Sequence, residues 1–235
     1  MRKFEKILTL LLIIMGVTLL SSCSDDKDEP KLKMPTTKSA VVGETFSFES
    51  DGQWISSNDF VASVNNKGYV KAEHVGSCII SNGKHKCTVT ITPKSTFITE
   101  PITEWGMSKA QLIAKCGNNY KETSNSIGYI SNNTIAPIIV YLFDNNNKLT
   151  SSTITVSTDY SSELTDFLLE RYHFVENDGD NYSFVNGYTS EKISTVVNMS
   201  LYNKSYWTVM YMSYGSSSRA YAENDFTNHL LIQGI

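Results

Sequence analysis

The chain has 235 residues, 40% of them hydrophobic, which is enough to form one large domain or two small ones. Its formal net charge is -4, and its lysines and arginines form no cluster beyond the first few residues. Nucleic acid and an anionic membrane surface are therefore not expected as partners. The balance of strand-forming over helix-forming residues favours a β or an α+β fold.

The N-terminus has the parts of a bacterial signal peptide, over residues 1–22. Three basic residues lie within the first six, and an apolar run follows that is shorter than the roughly 20 apolar residues of a membrane-spanning helix. The run ends in the letters LSSC, which resemble the lipobox of bacterial lipoproteins. This resemblance implies that Cys23 is acylated, that the chain is cleaved just before it, and that the lipid holds the protein on a membrane.

Residues 23–35 predict a disordered tether, because they are too polar and charged to bury surface. The letters SDDKDE follow Cys23 at once. One interpretation of this acidic run is a simple spacer. The other is that it resembles the export signal of Bacteroidota surface lipoproteins, which implies a lipid-anchored protein of the outer membrane, exposed at the cell surface.

Residues 36–93 alternate short apolar and polar segments with turns, which is typical of a small β-sandwich. Their pattern resembles the bacterial Ig-like group 2 domain. The positions that carry the resemblance are Trp54, Ser56, Ser57, Asn58, Val61, Ala62, Val64, Gly68, Val70, Ala72, Gly76 and the run 87–91. It implies a spacer or adhesion module, in which we expect Trp54 to fill the core and Gly68 to serve a turn. Residues 94–96 then form a predicted hinge.

Two cysteines flank a turn signal inside this segment. Asn82 and Gly83 predict a two-residue hairpin turn, and counting outward from it places Cys78 opposite Cys87. The pair falls on a non-hydrogen-bonded rung, where a cross-strand disulfide is geometrically plausible in an oxidising compartment. Two buried thiols in contact are the alternative. Cys116 has no evident partner and is expected to be a small buried residue near a helix end.

Residues 97–235 predict a second domain with a helix-then-strands unit that occurs twice. One helix begins after Ser108, which stands three residues before Gln111 in a capping-box arrangement, and ends at Gly117. Another begins near Ser161 or Ser162 and ends near His173. The predicted strands are residues 126–130, 135–143, 149–156, 174–176, 182–185, 195–202 and 205–214. We expect an α+β domain, an antiparallel sheet with both helices on one face. Its element order is similar to that of the beta-lactamase-inhibitor-protein-like group.

The sequence carries none of the motifs of common enzyme classes. Its four histidines are scattered, and it has neither a G-x-S-x-G motif nor a glycine-rich phosphate loop. The acidic run at residues 177–181 lacks the ligand spacing and closing glutamate of a calcium loop, which favours a solvated hairpin turn. We therefore expect a protein that is not an enzyme and that uses no metal or cofactor.

The remaining candidate site is aromatic and lies in the strand at residues 206–214, where both alternating faces carry large side chains. If helices cover one face, the other still carries either Trp207, Val209 and Tyr211 or else Tyr206, Met210 and Tyr214. In the first case Trp207 and Tyr211 could form a platform for sugar rings or a partner protein. Tyr141 could extend this platform. The alternative is a central strand packed on both sides, against the Ig-like domain or against the tail at residues 220–235.

Together these patterns favour a non-catalytic cell-surface lipoprotein that acts in binding or adhesion. In this hypothesis the Ig-like module holds the second domain away from the membrane. A glycan-capture component of a polysaccharide uptake system is the second hypothesis. A secreted inhibitor of another protein is the third, suggested by the similarity in element order.

Overall fold

A computed structural model describes residues 35–48, 52–179 and 181–215, and it is β-rich, with two short helices among these residues. The described residues all belong to one compact unit. Four of the sequence predictions lie wholly or mostly outside them. These are the signal peptide at 1–22, the lipidation of Cys23, the tether at 23–35 and the packing of the tail at 220–235.

The first seven strands form two sheets over a shared core. Their bounds are β1 Thr37–Val41, β2 Thr45–Ser47, β3 Ile55–Ser56, β4 Ala62–Val64, β5 Tyr69–Ala72, β6 Gly76–Ser81 and β7 Lys86–Thr92. The four-stranded sheet has the order β1-β7-β6-β3, and the three-stranded sheet has the order β2-β5-β4. Apolar side chains of both sheets meet in one buried cluster, because alternate residues of each strand point inward.

Trp54 and Gly68 have the structural roles that the sequence predicted. Trp54 is buried and stacks on Phe48, with ring centroids 5.1 Å apart. Gly68 has a φ of +79°, and a Cβ atom there would lie 2.7 Å from the carbonyl oxygen of Phe48 and 2.9 Å from Nε1 of Trp54. Only glycine combines this backbone conformation with so close an approach.

The remaining strands form one eight-stranded antiparallel sheet. Their bounds are β8 Lys121–Glu122, β9 Ser126–Ile130, β10 Ile138–Phe143, β11 Leu149–Ser157, β12 His173–Asp178, β13 Asn181–Val185, β14 Thr195–Asn203 and β15 Tyr206–Ser213. The order is β12-β13-β14-β15-β11-β10-β9-β8, so β15 lies in the interior of the sheet, between β14 and β11.

The two helices are α1, Lys109–Cys116, and α2, Ser161–Leu169, and a 3₁₀ turn at Thr158–Tyr160 precedes α2. The predicted capping box is present, because the Ser108 hydroxyl accepts from the backbone N–H of Gln111 and the Gln111 side chain accepts from the Ser108 N–H. Helix α2 ends four residues before the predicted end at His173, which is the first residue of β12.

Side chains of both helices contact the same face of the large sheet. Helix α1 shares a buried cluster with Tyr141, and helix α2 shares one with Tyr211. The strand register places Tyr141 beside Ser152 and Ser152 beside Tyr211, so these residues lie on one face. We call it the helix face, and we call the other side of the sheet the rear face.

Candidate functional site

Two of the three predicted ligand-binding residues are buried under the helices. Tyr211 is fully buried against α2 and Tyr141 is 3% exposed beside α1. Burial raises the pKa of both hydroxyls, and the hydroxyl of Tyr211 has no hydrogen-bond partner. The expectation that these residues form an exposed platform is therefore wrong, because both point toward the face that the helices cover. Strand β15 is instead packed on both of its faces, which agrees with the alternative prediction of a central strand.

Trp207 is only partly buried and keeps some exposed surface. Its indole N–H donates to the hydroxyl of Ser161 at the start of α2, over 2.8 Å. Its ring meets the ring of Tyr182 edge to face, with centroids 6.1 Å apart, and its cross-strand partner Leu201 is 40% exposed. We call Trp207, Tyr182 and Leu201 the Trp207 patch. The sequence did not indicate the last two, because they lie on other strands.

Cys78 and Cys87 do not face each other. Cys78 lies opposite Val89, so the register differs by two residues from the predicted one, and residues 82–85 form a four-residue loop. The predicted two-residue turn needs positive φ at both central positions, and Asn82 does not have it. Both cysteines are buried free thiols, and burial raises the pKa of each. The predicted disulfide is thus absent from the structure.

Cys116 ends helix α1 and is exposed, so the expectation of a buried residue there is wrong. Its sulfur lies 4.0 Å from the hydroxyl oxygen of Tyr141. The helix is only eight residues long, and Leu112 is its one fully buried residue. The helix therefore packs on the sheet through Leu112 near its middle, and Cys116 at its end is left exposed.

The two groups of strands meet at a junction built around Glu170 and Arg171, directly after α2. The carboxylate of Glu170 accepts from the backbone N–H groups of Lys94, over 2.9 Å, and of Ser95, over 3.0 Å. The guanidinium of Arg171 donates to the carbonyl oxygen of Ser95 over 3.1 Å, and the Glu170 carbonyl accepts from the N–H of Val75 over 2.8 Å. The predicted hinge is therefore held in place by hydrogen bonds rather than free.

Aromatic rings make the second part of the junction. His74 stacks on Phe60 with centroids 4.0 Å apart, and Tyr188, from the loop between β13 and β14, meets Phe60 edge to face at 5.2 Å. The Nδ1 atom of His74 lies 2.8 Å from the carbonyl oxygen of Phe60 and donates to it, because a carbonyl can only accept. Burial lowers the pKa of His74, so its neutral form is favoured.

A crevice of about 210 Å³ opens at this junction. Asn58 lines one side, and Glu100, Arg171 and Tyr172 line the other. The carboxylate of Glu100 accepts from the Tyr172 hydroxyl over 2.6 Å, and burial raises the pKa of both groups. The crevice has room for a few waters or a small polar molecule, but its charged groups already bond to neighbouring protein atoms.

The described parts of the chain hold no group of three or more His, Cys, Asp or Glu side chains arranged for a metal ion. Within the acidic run at residues 177–181, Asp178 is the last residue of β12 and pairs with Asn181, the first residue of β13, so the two strands form the hairpin that was predicted there. Neither described helix has the length and apolar character needed to cross a membrane. No protein-family model matches the sequence, and a search of curated proteins finds no match.

Proposed function

We propose that this protein is a lipid-anchored cell-surface protein that acts by binding or adhesion and not by catalysis. In this proposal residues 36–93 are an Ig-like sandwich and residues 97–235 are an α+β domain with both helices on one face. The Ig-like module holds the second domain away from the membrane, toward its partner.

The junction at Glu170 and Arg171 is the observation that carries this proposal. A flexible connection would let the outer domain swing back toward the membrane, because domains joined by a free linker sample many orientations. Here Lys94 and Ser95 are hydrogen-bonded to the end of α2, and an ion pair between Lys192 and Asp59 of 2.7 Å adds to the contact. A rigid connection of this kind suits a module whose task is to project its neighbour.

The anchor and the location rest on the sequence. Cys23 stands in the position of the acylated cysteine of lipoproteins, and each buried CH₂ of an acyl chain contributes about 0.8 kcal/mol to membrane binding. The acidic residues that follow Cys23 support display on the outer surface. The partly charged segment before β1 supports a tether between the membrane and the first strand.

Cell fractionation and protease treatment of intact cells test the anchor and the display. We expect the unaltered protein in the membrane fraction and degraded on intact cells. The variant Cys23→Ser should leave the membrane fraction, whereas Ser24→Ala, which keeps the cysteine, should not. Full protection of the unaltered protein on intact cells, with degradation after lysis, would overturn surface display.

Adhesion is tested separately, by the attachment of displaying cells to immobilised glycoproteins and polysaccharides. Attachment should depend on the amount of displayed protein and should fall to background with Cys23→Ser. It should persist with Ser24→Ala. Equal attachment of cells with and without the displayed protein would remove the support for an adhesive role.

Glycan capture is a second candidate function, and the Trp207 patch favours it. Trp and Tyr side chains offer sugar rings a large contact area with a polar tip, and both rings of the patch keep some exposed surface. We expect Trp207→Ala and Tyr182→Ala to weaken binding of residues 24–235 to a soluble polysaccharide by about tenfold or more. The matched control is Tyr69→Ala, since Tyr69 is 60% exposed on β5 and distant from the patch in sequence and sheet.

The thermal midpoint of each patch variant must be measured beside its binding, because Trp207 also packs on the core of the large sheet. Weaker binding by Tyr182→Ala at an unchanged midpoint would assign the glycan to the patch. Equal binding by all three variants would exclude the patch as the glycan site. No binding by the unaltered chain would exclude glycan capture, and a protein ligand would then be the remaining class of partner.

A further inference from the structure

The rear face of the large sheet carries a buried apolar cluster. Its members are Ile138, Val140, Leu142, Met210 and Met212, each at most 7% exposed, with Val196 partly buried beside them. All of them come from strands β10, β14 and β15, and neither described helix contributes a side chain. We call this set the rear cluster. A layer on one sheet face loses its contact with water only when something lies over it.

Hydroxyl side chains on the same face give an independent sign of a cover. Ser151, Thr153 and Thr155 lie on the rear face of β11, since Thr153 pairs with Met210 and Ser151 with Met212. All three are buried, and the hydroxyls of Thr153 and Thr155 have no hydrogen-bond partner. On an open face, water would bond to these hydroxyls. These two hydroxyl oxygens are therefore shielded from bulk water.

We propose that the C-terminal segment, residues 216–235, covers the rear cluster. The described chain reaches Gly215 directly after β15, the interior strand that carries two of the cluster's members. The cluster extends over the adjacent strands β14, β15, β11 and β10, which is about 15 Å at the usual strand spacing. The chain continues from residue 216 to residue 235, enough for about 30 Å as a helix and more if extended.

The composition of the segment suits a cover and not a solvated extension. It opens with three serines, which suit a reversal of the chain after Gly215. Ala222, Phe226 and Leu230 then recur at every fourth residue, the spacing of one helix face, and Leu231 and Ile232 follow. A segment with so many apolar residues near its end gains most by burying them on the nearest apolar surface.

Methionine oxidation tests the proposal in the soluble chain of residues 24–235. Peroxide oxidises a methionine at a rate that follows its access to solvent, and peptide mass spectrometry reads each site. We expect Leu230→Asp and Leu231→Asp to speed oxidation of Met210 and Met212 by about tenfold or more. The matched control Asn228→Asp, which adds the same charge, should have no effect.

Met107 and Met199 serve as internal controls, because they are buried in the helix-face clusters. They should keep their slow oxidation in both leucine variants, which separates an uncovered rear face from general unfolding. If Met210 and Met212 are oxidised as slowly in both leucine variants as in the unaltered chain, the proposal is overturned.

Amide hydrogen exchange of the unaltered chain gives a second readout that needs no variant. We expect residues 226–232 to exchange more slowly than in a free peptide of the same sequence, and equal exchange would overturn the proposal. A second copy of the chain is the competing cover. Faster oxidation of Met210 and Met212 on dilution, with a doubled mass in sedimentation, would assign the face to that copy and overturn the proposal as well.

Discussion

Replacing Glu170 with alanine should release the connection between the two groups of strands. The carboxylate accepts the backbone N–H groups of Lys94 and Ser95, and the side chain is 12% exposed. Without it, both N–H groups lose their acceptor. Arg171, whose Nη1 lies 3.7 Å from the same carboxylate, also loses its nearby opposite charge.

The size of the effect follows from the two hydrogen bonds. A hydrogen bond to a charged group contributes about 1.5–3 kcal/mol where water cannot replace it. Lys94 is exposed, so water can compensate for part of its bond, while Ser95 is partly buried. We therefore expect the free energy of local opening to fall by about 2 kcal/mol. Because about 1.4 kcal/mol corresponds to a factor of ten in an equilibrium constant, the population of the open state should rise about thirtyfold.

Limited trypsin digestion of residues 24–235 measures this opening, since trypsin cleaves after Lys94. When the segment closes faster than it is cut, the cleavage rate follows the open population. Glu170→Ala should therefore be cut there about thirtyfold faster than the unaltered chain. Glu163→Ala, at an exposed position of helix α2, which Glu170 directly follows, is the matched control. Equal cleavage rates for the two variants would refute the assignment of the connection to Glu170.

Three further measurements address the core, the thiols and the junction. Gly68→Ala should lower the free energy of unfolding in urea by about 3 kcal/mol and Gly83→Ala by about 1 kcal/mol, because both have positive φ but only Gly68 approaches a backbone carbonyl within 3 Å. Equal losses would contradict the close approach. Thiol labelling of the denatured, unreduced chain of residues 24–235 should find three free thiols. A single free thiol would show instead that Cys78 and Cys87 form the disulfide. The folded state lowers the pKa of His74 below its ordinary value of 6.5, so the stability this shift contributes is present above pH 6.5 and is lost as the pH falls. His74→Phe should reduce the loss of unfolding free energy on acidification below pH 6.5, and an unchanged slope would contradict it.

Elements with local signals could be predicted from the sequence. The capping box of Ser108 and Gln111 lies within one helical turn, so its residues alone define it. Strand β9 spans the predicted residues 126–130, because its boundaries follow from turn-forming neighbours. The core position of Trp54 and the turn position of Gly68 were also predicted, because the type of a single residue indicates each role.

The hairpin of β6 and β7 shows where a local signal failed. Asn82 and Gly83 fit a two-residue turn, yet the loop has four residues. The inward side chains of both strands, including Cys78 and Val89, belong to the core shared by two sheets. Both registers keep these residues on the inner face, so alternation alone could not choose between them.

The same limit applied to the candidate binding strand. The sequence by itself determined that Trp207 and Tyr211 share one face of β15, because side chains alternate along any strand. It could not determine which face the helices cover, since both faces of that strand are apolar and periodicity then gives no preference. Only the tertiary structure decided this, through the pairing of β15 with β11 and β14 and the packing of α2. The burial of a side chain depends on which distant segments pack against its face of the sheet. The alternation of residues within one strand carries no information about those segments.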